Sequence, residues 1–261
     1  MIAKHPTAAA GSVSGMVAAA LPVEIAVQDV AGARIALEAG AARVELCQAL
    51  GLGVLTPSAG LIEATVAAVA WTGAAGFVQV LVRPRGGGFV YEADELDTMA
   101  RDIRMAIALG ADGVVVGALT EAGQLDLDAI ARFIDAADGA DVTVHRAVDA
   151  SARPVEAVAA LAELGVRRVL SSGAAADCRA GLATLQAMVA ASGPLEVMAG
   201  GGVRIPDIAD LAAAGVDAVH LSARGTTTRG GASGPGGGVA GFDITDPGLV
   251  RGAVAAARLS R

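Results

Sequence analysis

The sequence predicts an α/β fold, a single (β/α)8 TIM barrel with parallel strands, and three observations carry that reading. Four times an apolar, Ala-rich stretch of helical spacing ends on a glycine and runs straight into a short β-branched segment: Leu37 to Leu46, Ile107 to Val116, Leu161 to Leu170 and Leu211 to Leu221. The glycines are Gly40, Gly110, Gly165 and Gly215, the residue type that closes a helix in a left-handed cap without steric cost. This unit recurs roughly every 50 to 70 residues, which leaves room for one further strand and helix between each pair. Eight strands alternating with helices over about 240 residues match one barrel in count and length.

The elements follow in order. Strand 1 is the apolar run near 23–28, and strand 2, near 43–47, follows Gly40. Strand 3 lies near 77–83, where valines alternate with Gln79 and Leu81, and strand 4 near 113–117 after Gly110. Strands 5 to 8 fall near 142–146, 168–172, 195–199 and 218–222, and Asp246-Pro247 opens a last helix through Ala257. A doubly wound sheet is the competing fold. It usually has fewer strands and a glycine-rich phosphate loop after strand 1, and Gln28 to Gly32 offers no such loop.

Two segments lie outside this pattern. Residues 1–20 read as a disordered N-terminal tail, since a weak signal-peptide reading is undercut by an Ala-dominated stretch broken by Gly and Ser. The barrel domain then occupies 21–261, with a Gly-rich mobile loop expected at 225–241.

Composition narrows the function classes. The chain has 261 residues, 54% hydrophobic and 18% charged, and no apolar run reaches the roughly 18 residues of a membrane span. A formal charge of −8 argues against nucleic acid, which demands clustered cations. Two cysteines, Cys47 and Cys178, make no disulfide framework, so a cytoplasmic location is expected. Lys4 is the only lysine among many arginines, which reads as coding bias.

Alternation along each strand assigns the barrel interior. Placing the Val, Ile and Leu faces outward leaves Glu24, Ala26 and Gln28 inward on strand 1, and Glu45 and Cys47 on strand 2. Gln79 and Arg83 point inward from strand 3, Thr143 and His145 from strand 5, Glu196 and Met198 from strand 7, and His220, Ser222 and Arg224 from strand 8. Strands 4 and 6 read as mainly structural. Buried glutamates need partners, and Arg83 and Arg224 are the expected ones.

The C-terminal ends of the strands are where barrel sites form. After strand 3, Arg83-Pro84-Arg85-Gly86-Gly87-Gly88-Phe89 places two arginines at i and i+2, on one face, with a guanidinium fork suited to carboxylate or phosphate. His145 is a candidate acid, base or ligand, with Asp149 expected to orient it and Arg146 beside it. Gly200-Gly201-Gly202-Val203 after strand 7 and Ser222 to Gly225 after strand 8 fall where barrels place phosphate sites. The candidate catalytic residues are therefore Glu45, His145 and Asp149. The ligand-binding candidates are Arg83, Arg85, Arg146, Gly201, Gly202, Ser222 and Arg224, and Cys47 is the metal candidate.

Several of these segments carry a resemblance. Val44-Glu45-Leu46-Cys47, Leu55-Thr56-Pro57-Ser58, Arg83-Pro84-Arg85-Gly86-Gly87, Gly117-Ala118-Leu119-Thr120, His145-Arg146-Ala147, Met198 to Val203 and Ser222-Ala223-Arg224 are similar in order to the CutC copper-homeostasis family across about residues 23 to 224. That resemblance implies a cytoplasmic barrel linked to copper tolerance or Cu(I) binding, often oligomeric. No organic cofactor is expected. Members commonly carry a cysteine and, two residues on, an aspartate on strand 1; here those positions are Ala26 and Gln28. Two inward thiols on adjacent strands would suit Cu(I), and only Cys47 remains. The family aspartate after the RPRGG run is Gly88, and the phenylalanine before the histidine motif is Val144.

Three functions follow as expectations. One is a copper-handling protein, another is an enzyme or binder acting on a small phosphate or carboxylate metabolite, and the third is a barrel whose charges only satisfy one another.

Overall fold

In the computed structural model, which describes residues 20–229, 234 and 241–260, eight parallel strands close into a barrel in sequential order. They are β1 (Val23–Val27), β2 (Arg43–Leu46), β3 (Val78–Leu81), β4 (Gly113–Val116), β5 (Asp141–Val144), β6 (Arg168–Ser171), β7 (Glu196–Gly200) and β8 (Ala218–Leu221). The helices α1 (Val30–Ala39), α2 (Ala59–Val69), α3 (Ala93–Ala108), α4 (Leu127–Ala137), α5 (Pro154–Glu163), α6 (Leu182–Ala191), α7 (Ile208–Ala213) and α8 (Pro247–Leu259) wrap it. Closure is completed by β1 against β8, with Glu24 opposite His220, and Glu24 opposite Arg43 on β2. The expected barrel is the observed one.

The local signals act as their chemistry dictates. Gly40, Gly110, Gly165 and Gly215 take φ of +85°, +94°, +83° and +88°, the left-handed turn that reverses each helix into the next strand. Asp29 caps α1 by accepting the Gly32 N–H at 2.6 Å, and Asp246 caps α8 through Gly248 and Leu249. The outward strand faces, including Val44, Val80, Val114 and Val169, are fully buried beneath the helices. Among the described residues no helix is long and apolar enough to cross a membrane.

Residues 1–19 of the expected tail lie outside the described residues. The expected loop at 225–241 begins differently: β9 (Arg224–Thr227) pairs antiparallel with β10 (Phe242–Thr245), and residues 230–233 and 235–240 lie outside the described residues. Pairing supplies the backbone hydrogen bonds that a glycine-rich composition alone does not reveal. Gln28 ties this hairpin to the mouth, donating to the Asp243 carbonyl at 2.7 Å while accepting the Leu50 N–H at 3.3 Å.

The floor of the barrel departs from expectation in its pairing. Glu24 meets Arg43 at 2.9 Å, and Glu196 meets Arg168 at 2.7 Å and Arg167 at 2.5 Å. Neither glutamate reaches Arg83 or Arg224. Arg43 and Arg168 open their strands at the same level as Glu24 and Glu196, so the barrel's stagger, rather than chain order, chooses the partners. Arg168 also donates to Thr143 at 3.1 Å, so strand 6 carries charge into the interior as well as structure.

Candidate active site

A cavity of about 460 Å³ opens at the C-terminal ends of the strands, within the size range of small-molecule sites. One wall comes from β3 and β5, another from β8 and β2, and the rim from the loops after β5, β7 and β8.

On the first wall, the chain leaving β3 places Arg83 indoors. Thr56 clamps its backbone, accepting the Arg83 N–H at 2.8 Å and donating to its carbonyl at 3.0 Å. The guanidinium donates to the carbonyls of Gly53, Val54 and Gly87 and lies 5.0 Å from the Phe89 ring centre. Its Nε has no hydrogen-bond partner, and among the described residues no carboxylate pairs with it. Burial raises the Tyr91 phenol's pKa, and the neighbouring Arg83 guanidinium pulls against that rise.

His145 follows β5 and packs 4.9 Å from Phe89, centre to centre. Its Nδ1 accepts the Ala147 N–H at 3.1 Å, which leaves Nδ1 unprotonated and puts the proton of the neutral ring on Nε2. Burial, with the Arg83 charge adding to it, pulls the pKa down to about 4. The ring is thus neutral at physiological pH, and its buried Nε2–H has no protein acceptor. Gly117, just past β4, makes room for it: a Cβ there would stand 2.5 Å from the imidazole.

The opposite wall is a chain of ionisable groups. Arg43 holds Glu24, Glu24 holds His220 Nδ1 at 2.8 Å, and His220 Nε2 stands 3.8 Å from Glu45. Burial pushes the Glu24 carboxyl up, but the His220 and Arg43 contacts outweigh it and bring the pKa to about 2. Burial likewise works against a charged His220, yet its glutamate neighbours raise its pKa overall. Glu45 has no such compensation: desolvation, opposed by His220 and reinforced by Glu24, lifts it to about 7. A carboxyl that titrates near neutrality inside a cavity can give or take a proton.

On the rim, Arg146, Gly201, Gly202, Ser222 and Arg224 all line the cavity. Arg146 donates to Asp149 and to Ser172, each at 2.9 Å, and a Cβ on Gly201 would come within 2.8 Å of its guanidinium carbon. Arg224 meets Asp243 at 3.2 Å. Ala223 takes a left-handed φ of +42°, turning Arg224 back across the mouth into β9.

Three candidates take other roles. Asp149 does not orient His145. It accepts from the Ser171 and Ser172 hydroxyls and from the Ser172 and Ala174 amides, pinning the turn after β5 to the end of β6, while backbone geometry holds the histidine. Arg85 parts company with Arg83, because the turn through Pro84 swings it outward onto Glu95 and the Tyr91 ring. Cys47 is buried against Leu81 and Val115, its thiol 3.5 Å from the Val27 carbonyl, and burial beside Glu45 pushes its pKa well above the ordinary range.

A Cu(I) site needs a thiolate or a second soft donor, and this environment disfavours both. The Met198 sulfur accepts from Arg43 and sits in a separate apolar cluster with Leu170 and Ala218. Among the described residues no three His, Cys, Asp or Glu side chains converge as a metal site. The donor set does not fit copper.

The site also contains residues outside the candidate set. His220 lines the cavity, and its inward parity was the available signal; Arg43 shares the inward parity of Glu45 two residues later. Phe89 and Gly117 gave no chemical signal at all.

The CutC family model matches residues 21–225. A CutC family protein of Xanthomonas campestris pv. campestris is 42% identical over 205 residues, 78% of this chain and 83% of its own. One from Klebsiella pneumoniae is 40% identical over 201 residues, 77% of this chain and 79% of its own. The solved CutC structure from Streptococcus agalactiae, whose name links that protein to copper homeostasis, is similar at a TM-score of 0.72 and 30% identity, covering 77% of this chain and 97% of its own. Thiamine phosphate pyrophosphorylase from Pyrococcus furiosus, at 16% identity and a TM-score of 0.59 over 92% of this chain and 96% of its own, shares the barrel alone. Over the whole barrel from β1 through β8, this chain belongs to the CutC family.

Proposed function

We propose that the cavity binds a small metabolite through an anionic or carbonyl oxygen and moves a proton on it, making this chain an enzyme of proton transfer next to a carbonyl. One observation carries the reading: a guanidinium without a counter-charge and a neutral imidazole N–H without an acceptor are both buried in the same cavity. A buried unpaired cation and an unmade hydrogen bond each cost free energy. A ligand oxygen at Arg83 and His145 supplies both missing partners.

The chemistry is balanced within the chain's own residues. The Glu45 carboxylate takes a proton from the carbon beside a carbonyl; the C–H electron pair forms the new C=C bond, and the carbonyl π pair moves onto oxygen. Arg83 and the His145 Nε2–H stabilise that oxyanion, as preorganised donors do best in a dry site. Protonated Glu45 then returns the proton to carbon, and the His220–Glu24–Arg43 chain steadies its charge. Copper homeostasis comes with the family name, but a protonated Cys47 and an engaged Met198 favour the anion reading. The reduced cysteines fit a cytoplasmic setting.

The test is binding and exchange. Calorimetry with glycolate as probe is expected to show binding to the unmodified chain and at least tenfold weaker binding to Arg83→Gln. Hydroxy-carbonyl compounds in D2O should exchange the proton beside the carbonyl, and Glu45→Gln should abolish that exchange. Equal glycolate affinity in the two proteins would overturn the anion reading.

A further inference from the structure

We infer that the rim after β7 and β8 is a phosphate subsite, so that the metabolite is a small phosphomonoester whose other end carries the oxygen held by Arg83 and His145. This inference rests on the anion reading of the cavity and names the substrate class.

The backbone carries it. The Gly201 carbonyl accepts the Cys178 N–H at 3.0 Å, and the Ala223 carbonyl accepts the Asp246 N–H at 2.8 Å. In a trans peptide the N–H points opposite to its carbonyl. The amides of Gly202 and Arg224 are therefore turned away from those partners, and neither meets an acceptor among the described residues: the Asp246 bond to the Ala223 carbonyl makes Arg224 and Thr245 a non-hydrogen-bonded pair of the hairpin. Both residues line the cavity, from two different strand ends. Two amides without a protein acceptor, on residues lining one cavity, are the donors from which a concave anion receptor is built.

The side chains agree. Arg146 uses its Nε on Asp149 and its Nη2 on Ser172, leaving Nη1 uncommitted beside Gly201. Arg224 gives only Nη1 to Asp243, and Ser222 lines the same cavity. The nearby carboxylates are turned to other donors: Asp149 to Ser171, Ser172 and Ala174, and Asp177 to the Ala180 amide at 2.9 Å. A phosphate has enough acceptor oxygens to take the two amides and both guanidinium edges at once.

Position sets the ligand's shape. Gly202 and Arg224 follow β7 and β8, whereas Arg83 follows β3, across the eight-stranded ring from β7, and His145 follows β5. Glu45, on β2 beside β3, lines the same cavity. A ligand with its phosphate on the rim and its carbonyl oxygen at the inner donors holds its intervening carbons in the cavity that Glu45 lines. A phosphorylated hydroxy-aldehyde or hydroxy-ketone meets all three demands.

Amide resonances of the unmodified chain, followed by NMR with inorganic phosphate as probe, test the subsite without a variant: those of Gly202 and Arg224 should move. Calorimetry adds the arginines. In Arg146→Gln/Arg224→Gln the phosphate Kd should rise at least tenfold while the glycolate Kd stays within twofold, and Arg83→Gln should show the reverse. Unmoved Gly202 and Arg224 amides, or phosphate affinity lost in Arg83→Gln but kept in the rim variant, overturns the subsite while leaving the inner anion wall intact. Phosphate binding at the rim with no glycolate binding anywhere overturns the inner wall instead.

Discussion

The floor and the mouth of this barrel are both rich in charge, and they treat it in opposite ways. At the floor every glutamate has an arginine: Glu24 has Arg43, and Glu196 has Arg167 and Arg168. At the mouth Arg83 rests on carbonyls, His145 keeps a donor unspent and Glu45 holds its proton to about pH 7. Floor charge is thus complete without a ligand, and mouth charge is not. The lesson is that buried charge by itself does not mark a site; buried charge with unfilled valence does.

Removing a floor partner should produce the largest effect on stability. Glu24→Ala strands Arg43 and His220, and urea unfolding is expected to show a loss of about 3–5 kcal/mol. Arg83→Gln, which strands no opposite charge, should cost only about 1–2 kcal/mol; equal losses would erase the contrast between floor and mouth.

The next effect has the opposite sign. Glu45 is raised from 4.5 to about 7 in the folded chain, so between those values the folded state holds a proton that the unfolded state has released. Stability from this group therefore falls as pH rises through that window. Glu45→Gln should be more stable than the unmodified chain by about 1–3 kcal/mol at pH 8 and indistinguishable from it at pH 4. A destabilised variant at pH 8 would show that the Glu45 charge is already compensated.

A methyl group is enough for the third. Gly117→Ala drives a Cβ to 2.5 Å from the His145 ring, with an expected cost of about 1–3 kcal/mol and at least a tenfold loss of glycolate affinity. Unchanged affinity would mean that the imidazole position is irrelevant to binding.

Smaller still is the titration of His145 itself. Its pKa falls from 6.5 to about 4 on folding, so the stability it contributes is full above 6.5 and is lost as pH drops from 6.5 through 4. Nitrogen NMR should report a neutral, Nε2-protonated ring at pH 5.5. Arg85→Gln is expected to leave glycolate affinity within twofold, since this guanidinium is committed to Glu95 outside the cavity.

Much of this was legible in the chain because it follows from local rules. The four glycine-terminated helices fix the repeat, and two-residue alternation places Glu24, Glu45, His145 and His220 inside. Pairing was not legible, because it depends on stagger between strands. Arg43 and Arg168 satisfy the glutamates only once the barrel closes. Arg85 misled because a spacing of two means one face only in a continuing strand, and β3 ends at Leu81 before Pro84 turns the chain. Asp149 misled because proximity in sequence to His145 says nothing of where the carboxylate finds its donors. The hairpin of β9 and β10 hid in a stretch whose composition suggests only a loop.

Gly117 has neither charge nor donor side chain, yet its lack of a Cβ is what leaves room for the imidazole against Phe89, in the wall of the cavity. The machinery thus includes a void as one of its parts. A search for reactive groups would pass over that position, and a comparison of relatives by catalytic residues alone would score a chain with a bulkier residue there as intact. Two such chains would share every acid, base and cation while differing in whether the mouth can hold an oxygen at all.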